Sequence, residues 1–413
     1  MTAPPRPSTD RPSPPPPGPA HVIADDAEAL AAAAAFAAEF RSGAAERDAG
    51  RRLPRAELDR LSAAGLLAVT VPAAHGGADV SLVTLAEIFR LLATADGSLA
   101  QIPQSHFAYV NVLRAQGTPG QQDFFFRELL AGKRFGNAQS EAGTKHVQDF
   151  RTRLEPAEDG AGWVLTGVKH YATGALFADW IPVLARAGDE GALHVAYVAA
   201  DAPGVTVVDD WEGMGQRTTA SGTVRLEGVI VPADRVVPHH LTFTGPQLHG
   251  AVAQLLHAAI DAGIAGGALA EAVEFVRTKS RPWFESGFDT AAEDPLLIQR
   301  VGELAVQVRA ADALLVAAAR AADAARADLT DDSAAEASIA VAAAKAFAAT
   351  AAVEVSGALF ELAGTRSAAG SLNLDRYWRD ARTHTLHDPA RWKVQHIGRY
   401  VLNGTRPPRH GLL

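Results

Sequence analysis

The chain has 413 residues, of which 48% are hydrophobic and 21% charged, the profile of a folded globular protein long enough for two or three cores. A net charge of -9 argues against the basic face that a sequence-independent grip on nucleic acid requires. The absence of cysteine excludes disulfides, thiolate catalysis, iron–sulfur clusters and thiolate zinc sites.

The first twenty residues hold nine prolines and no apolar run, so residues 1–24 read as a disordered Pro-rich tail and not as a signal peptide. Residues 25–134 read as an N-terminal helical domain. Leu58, Leu61 and Leu66 share one face there, Leu85, Ile88, Phe89 and Leu92 another, and Thr84 with Glu87 has capping-box spacing. Residues 135–240 change to short alternating segments such as GWVLTGVKHYATG, LHVAYVAAD and GTVRLEGVIVP. These recur too closely to leave room for crossover helices, which predicts a middle antiparallel β-barrel or sandwich and excludes a Rossmann unit. Residues 241–413 return to long Ala-rich helices, with Ser333 and Glu336 spaced as a second capping box and Gly364 as a helix stop. The fold class is therefore α+β, with a C-terminal four-helix bundle suited to subunit packing. The long apolar stretches read as core helices and not membrane spans, so a cytoplasmic protein is expected.

The segment Thr383–Pro389, THTLHDP, carries two histidines one helical turn apart. From the residues alone, His384 and His387 are metal ligands, a proton-transfer pair beside a cofactor, or helix-end packing residues. No His-Glu-x-x-His pattern and no third ligand accompany them, so no metal is expected. Asp388 precedes Pro389, the arrangement of an N-cap with proline at the first helical position. His106 is a lone histidine on a mainly apolar helix, a pattern usual for a hydrogen-bonded core residue. Thr173 likewise reads as an ordinary strand-end threonine.

Taken together, DDWEGMGQRTTASGTVRLEGVIVPADRVV, GVKHYATGA, AIDAGIAGGALAEAVEFVRTKSRPWF and LDRYWRDARTHTLHDP resemble the acyl-CoA dehydrogenase family over nearly the whole chain after the tail. The departures are informative. The catalytic glutamate of much of the family falls on Asp388, and the alternative base position offers only Ala253 and Gln254. A dehydrogenase needs a carboxylate poised to take a thioester α-proton, and none is evident. Histidines stand there instead, as in the family's flavin monooxygenase branch of dibenzothiophene monooxygenases and SfnB-like sulfur-acquisition oxidoreductases.

That resemblance implies a two-component monooxygenase. It would use reduced FMN from a separate NAD(P)H-dependent flavin reductase, since no Gly-x-Gly-x-x-Gly follows a strand, together with O2 and a small organosulfur substrate. It implies His384 and His387 as proton donors beside the flavin, and His106 facing the substrate cavity. It places Asn137, Ser140, Tyr171 and Thr173 at the flavin, and Arg281 on its phosphate across a subunit interface of a homotetramer. FAD is the alternative cofactor, but AGTRS replaces the family's Gly-Gly near the adenine, and Ala390 and Trp392 replace its pyrophosphate contacts. A second reading is an FAD-dependent acyl-CoA dehydrogenase using Asp388 or a histidine as base. A third is a flavin-free binding or scaffold protein.

Overall fold

A computed structural model describes residues 19–413 apart from 159, 161, 189 and 190, so most of the Pro-rich tail lies outside the described residues. Six helices come first: α1 (Asp26–Ala49), α2 (Arg55–Ala63), α3 (Leu82–Ala95), α4 (Gly97–Gln101), α5 (Gln104–Gln116) and α6 (Pro119–Leu130). The cap of α3 is Ser81, whose hydroxyl accepts the Thr84 N–H at 3.1 Å. Thr84 is thus the third helical residue and not the cap. The reason is local: Asp26 accepts from both the Ser81 and Thr84 hydroxyls, which pins the entry to the helix.

Among the described residues seven strands follow: β1 (Arg153–Pro156), β2 (Gly162–Lys169), β3 (Trp180–Ala187), β4 (Ala192–Ala199), β5 (Val205–Val208), β6 (Thr223–Pro232) and β7 (Val236–Val237). They form one sheet in the order β5-β6-β2-β1-β3-β4-β7. The expected antiparallel pairing holds at every junction but one. β1 and β3 run parallel, Arg153 opposite Arg186, because the chain after β2 returns past β1 before entering β3. The sheet is therefore mixed.

The last region holds α7 (His249–Thr278), α8 (Pro295–Ala327), α9 (Asp331–Ala363), α10 (Arg376–His384) and α11 (Ala390–Asn403). The cap of α9 is Thr330, with Ser333 as its third residue, so this box sits three residues earlier than the Ser333–Glu336 spacing implies. α7 and α9 are long and apolar enough by composition to cross a membrane, but the apolar window of α7 is 89% buried within the protein. Its apolarity is that of a core helix. Gly263 shows how tightly α7 is packed: a Cβ there would lie 2.4 Å from the backbone oxygen of Arg90 on α3. Only glycine lets these two backbones meet. One continuous hydrophobic core joins α1–α4 to α7–α10, and separate clusters fill the sheet.

Candidate functional site

The family motif segments converge although they are distant in sequence. A Cβ on Gly215, in GMGQR, would lie 1.9 Å from the backbone oxygen of Arg379, in WRDAR. The adjacent Gln216 N–H donates to Asp380 Oδ1 at 2.5 Å. Burial, together with the carboxylates of Asp48 and Asp96, pushes the Asp380 carboxyl up to about 8. This contact fixes α10, and with it the Thr383–Pro389 turn, against the end of the sheet.

Beside that junction lies a cavity of about 320 Å³. Asn137, Ser140, Tyr171, Thr173 and His387 all line it, as do Gln101, Gln254, His239, His249 and His257. C-terminal residues Arg409–Leu412 wall one side. Residues 135–141 are held beside β3 by bridges from Phe135 to Trp180 and from Ala138 to Val183. Below them Lys169, fully buried, donates to Glu141 Oε1 at 2.8 Å and to the Gln139 carbonyl at 3.1 Å. Burial brings Lys169 down to about 8, while its ammonium and two backbone N–H groups hold Glu141 at about 2, so both are ionised at neutral pH.

Within the cavity Tyr109 donates to Asn137 Oδ1 at 3.2 Å, and the Thr173 and Ser221 hydroxyls are hydrogen-bonded at 2.6 Å. Tyr171 adopts φ +55°, a left-handed conformation that bulky residues rarely take, and its side chain is among the exposed aromatics. Such strain persists only where the surroundings impose it, and it clusters at ligand sites.

His387 donates from Nδ1 to the His384 carbonyl at 2.9 Å, so Nε2 carries a lone pair, 3.2 Å from the amide nitrogen of Gln101. Desolvation among the packed rings and the neighbouring His384 push its pKa down, although the residue itself is open to the cavity. At rest it is therefore an acceptor. His384 does not line the cavity and has no exposed surface. Its Nδ1 meets Asp261 Oδ1 at 2.5 Å and its Nε2 meets His257 Nδ1 at 2.9 Å. The two histidines expected to act as a pair are thus placed differently, His387 on the cavity wall and His384 buried behind it. The physical reason is that α10 points His384 into the bundle, while the turn after it carries His387 outward.

Two further expectations change, those for His106 and Asp388. His106 is buried away from the cavity and bonded on both nitrogens, donating to the Leu67 carbonyl at 2.6 Å and accepting the Phe135 N–H at 3.0 Å. It is a core fastener. Asp388 does not cap α11, which has no side-chain cap; its carboxylate lies 2.6 Å from Lys393 Nζ instead. Arg281 is exposed in the loop after α7, outside the cavity, with no partner among the described residues.

The sequence reading missed His257, Asp261 and Lys345. His257 brings a third imidazole to the pair, so ring nitrogens of His257, His384 and His387 lie within 4.8 Å of one another. The signal was present. Asp261 is one helical turn after His257 in an otherwise uncharged run of α7, and Lys345 is the one basic residue in the Ala-rich α9. Charges in such helices are buried only when paired.

The cavity suits a polar ligand. Gln101 Oε1, Gln254 Oε1, His239 Nδ1 and His249 Nδ1 are buried on its wall without a partner, and such atoms are costly unless a ligand or water satisfies them.

Profiles of the acyl-CoA dehydrogenase N-terminal, middle and C-terminal domains match residues 24–133, 135–229 and 255–392. A dibenzothiophene monooxygenase of Rhodococcus erythropolis is 35% identical over 399 residues, covering 93% of this chain and 95% of that one. A probable FMNH2-dependent monooxygenase, SfnC, of Pseudomonas putida is 33% identical, covering 92% and 96%. Among solved structures, FMN-bound TdsC from Paenibacillus sp. A11-2 superposes with a TM-score of 0.89 at 32% identity, covering 93% of this chain and 100% of that one. Three matched domains in family order, and relatives aligned along nearly their whole lengths, establish that this chain belongs to the acyl-CoA dehydrogenase family.

Proposed function

We propose that the chain is the oxygenase of a two-component flavin system, taking reduced FMN from a separate NAD(P)H-dependent reductase and adding one oxygen atom to a small organosulfur compound. The observation that carries this reading is the cavity's chemistry: its wall is mainly imidazoles and amides, and its one carboxylate among the described residues, Asp388, is held by the Lys393 ammonium. Asp261 lies fully buried behind His384. A paired, desolvated carboxylate is a poor general base, which disfavours the acyl-CoA dehydrogenase reading. The similarity to a dibenzothiophene monooxygenase, an FMNH2-dependent monooxygenase and an FMN-bound structure supports the same choice and favours FMN over FAD.

When bound, reduced FMN supplies the two electrons by which dioxygen gives one atom to substrate and one to water. The chain's own residues bind and orient. Asn137, Ser140 and Thr173 offer hydrogen bonds, the strained Tyr171 offers a ring edge or face, and the C-terminal residues limit water entry. Arg281 and the exposed Trp283 and Phe284 beside it, 62% and 80% exposed, suit contact with a second copy, Arg281 reaching its flavin phosphate. A homotetramer in the cytoplasm, where the reductase finds NAD(P)H, completes the reading.

The test supplies FMN, an added flavin reductase, NADH and isotopically labelled dioxygen with a panel of sulfides, sulfones and sulfinates. One labelled atom per product molecule is expected. Oxidation of NADH by the protein alone, or anaerobic flavin bleaching by an acyl-CoA, would overturn the reading.

A further inference from the structure

Four side chains form a hydrogen-bonded line from the middle of the helical bundle to the cavity wall. Lys345 Nζ donates to Asp261 Oδ2 at 2.7 Å, His384 Nδ1 lies 2.5 Å from Asp261 Oδ1, and His257 Nδ1 lies 2.9 Å from His384 Nε2. Lys345, Asp261 and His384 are all but completely buried, and His257 lines the cavity.

The direction of every bond is forced. An ionised carboxylate only accepts, so His384 must carry its proton on Nδ1. Its Nε2 is then a lone pair, so His257 must donate from Nδ1. That leaves His257 Nε2 as a lone pair on the cavity side. Lys345 makes the first step obligatory, because a buried carboxylate is retained in its charged form by an ion pair.

We propose that His257 is the base that accepts a proton from a protic group of the bound ligand, and that Asp261, acting through His384, is the positioning residue that selects the nitrogen presented. The ligand's identity rests on the oxygenase reading; the arrangement does not. The step is one proton transfer: a ligand O–H or N–H loses its proton to His257 Nε2. The imidazolium so formed keeps its Nδ1–H bond to His384, whose other proton faces the Asp261 carboxylate. The new positive charge is thus met by an anion already in place, with no solvent reorganisation.

The groups facing His257 are Asp261 on its own helix, His384 on α10, His387 and Asp388 on the turn beyond, Lys345 on α9 and Lys393 on α11. Each lysine has its own carboxylate, Lys345 with Asp261 and Lys393 with Asp388. The two ammonium charges are therefore locally matched. Burial dominates and keeps His257 neutral at rest.

The decisive substitution is Asp261→Asn. The Lys345 ammonium can only be met by the amide oxygen, which turns the amide NH2 toward His384. Both histidines then invert, and His257 presents Nε2–H to the cavity. Nitrogen NMR of isotope-labelled histidines in the flavin-free full-length protein reads this directly. Expected are Nδ1–H tautomers for His257 and His384 in the wild type and Nε2–H tautomers in Asp261→Asn. The wild-type spectrum needs no substitution, so a misfolded variant would not remove the test. In the coupled assay, the variant should lose about 10²- to 10⁴-fold in product formation, the range that proton transfer supplies. Its pH profile should lose the limb that the wild type shows.

An Nε2–H tautomer of His257 in the wild type would overturn the proposal. So would a stoichiometric metal whose removal by chelator abolishes activity, since the three imidazoles would then be its ligands. Correct tautomers without any oxygenation would sink the oxygenase reading alone, and oxygenation with wrong tautomers would sink the relay alone.

Discussion

Phe135 donates its backbone N–H to Nδ1 of His106 at 3.0 Å, while the other ring nitrogen holds the Leu67 carbonyl at 2.6 Å. One imidazole thus ties helix α5 to the start of the β region and to the loop after α2. Replacing His106 with alanine leaves a buried N–H and a buried carbonyl unpaired, each costing about 1–3 kcal/mol. We expect His106→Ala to lose about 3 kcal/mol in urea unfolding, with the ratio of product to hydrogen peroxide unchanged. An unchanged stability with a shifted ratio would return His106 to the cavity.

His387 is the histidine of the THTLHDP turn that reaches the cavity. His387→Gln should still bind FMN, read by fluorescence quenching. Its product yield should fall about 10²-fold while hydrogen peroxide accumulates, because the second imidazole on the cavity wall beside His257 is gone. Wild-type coupling in this variant would remove His387 from the chemistry.

Acid should destabilise the protein before most of its carboxylates titrate, although Asp380, held at about 8, binds its proton earlier and offsets part of the loss. His106 and His249 are held at about 4 and His239 at about 3, against an ordinary 6.5, chiefly because burial disfavours the cation. Between those values the unfolded chain binds more protons than the folded one. Their contribution to stability is therefore fully present above about pH 6.5 and falls away as pH drops toward about 4, at about 1.4 kcal/mol per unit per histidine. Unfolding free energies measured from about pH 7 to 5 should fall steeply, and less steeply in His106→Asn. A flat profile would mean that these rings are not kept neutral.

Lys169 and Glu141 hold up the loop that carries Asn137 and Ser140. Lys169→Met strands a buried carboxylate, which should cost about 3–5 kcal/mol. Adding Glu141→Gln removes the stranded charge and should recover part of that loss. Equal stability of the single and double variants would show that the pair does not interact.

Much of the fold was legible because hydrophobic period reports secondary structure directly. The switch from helical spacing to alternation at residue 135, and back after residue 240, marks where strands β1–β7 lie. The exact caps were less legible. Ser81 and Thr330 compete with Thr84 and Ser333 for the same role, and tertiary contacts such as Asp26 with Ser81 decide between them. The parallel β1–β3 pair was invisible too, since register between strands is set by where the chain returns and not by composition.

At the site, the family resemblance and not local pattern singled out Asn137, Ser140, Tyr171, Thr173 and His387, which the structure places on one cavity. By itself the sequence determined the α–β–α order, the exclusion of thiol chemistry and the histidine-bearing turn, since these follow from residue type and short-range spacing. Only the tertiary structure decided that His106 fastens the core, that Asp388 pairs with Lys393, and that His384 stands behind His257 and in front of Asp261. A side chain's proton and charge are set by partners across space. Here those partners lie up to 127 residues away along the chain.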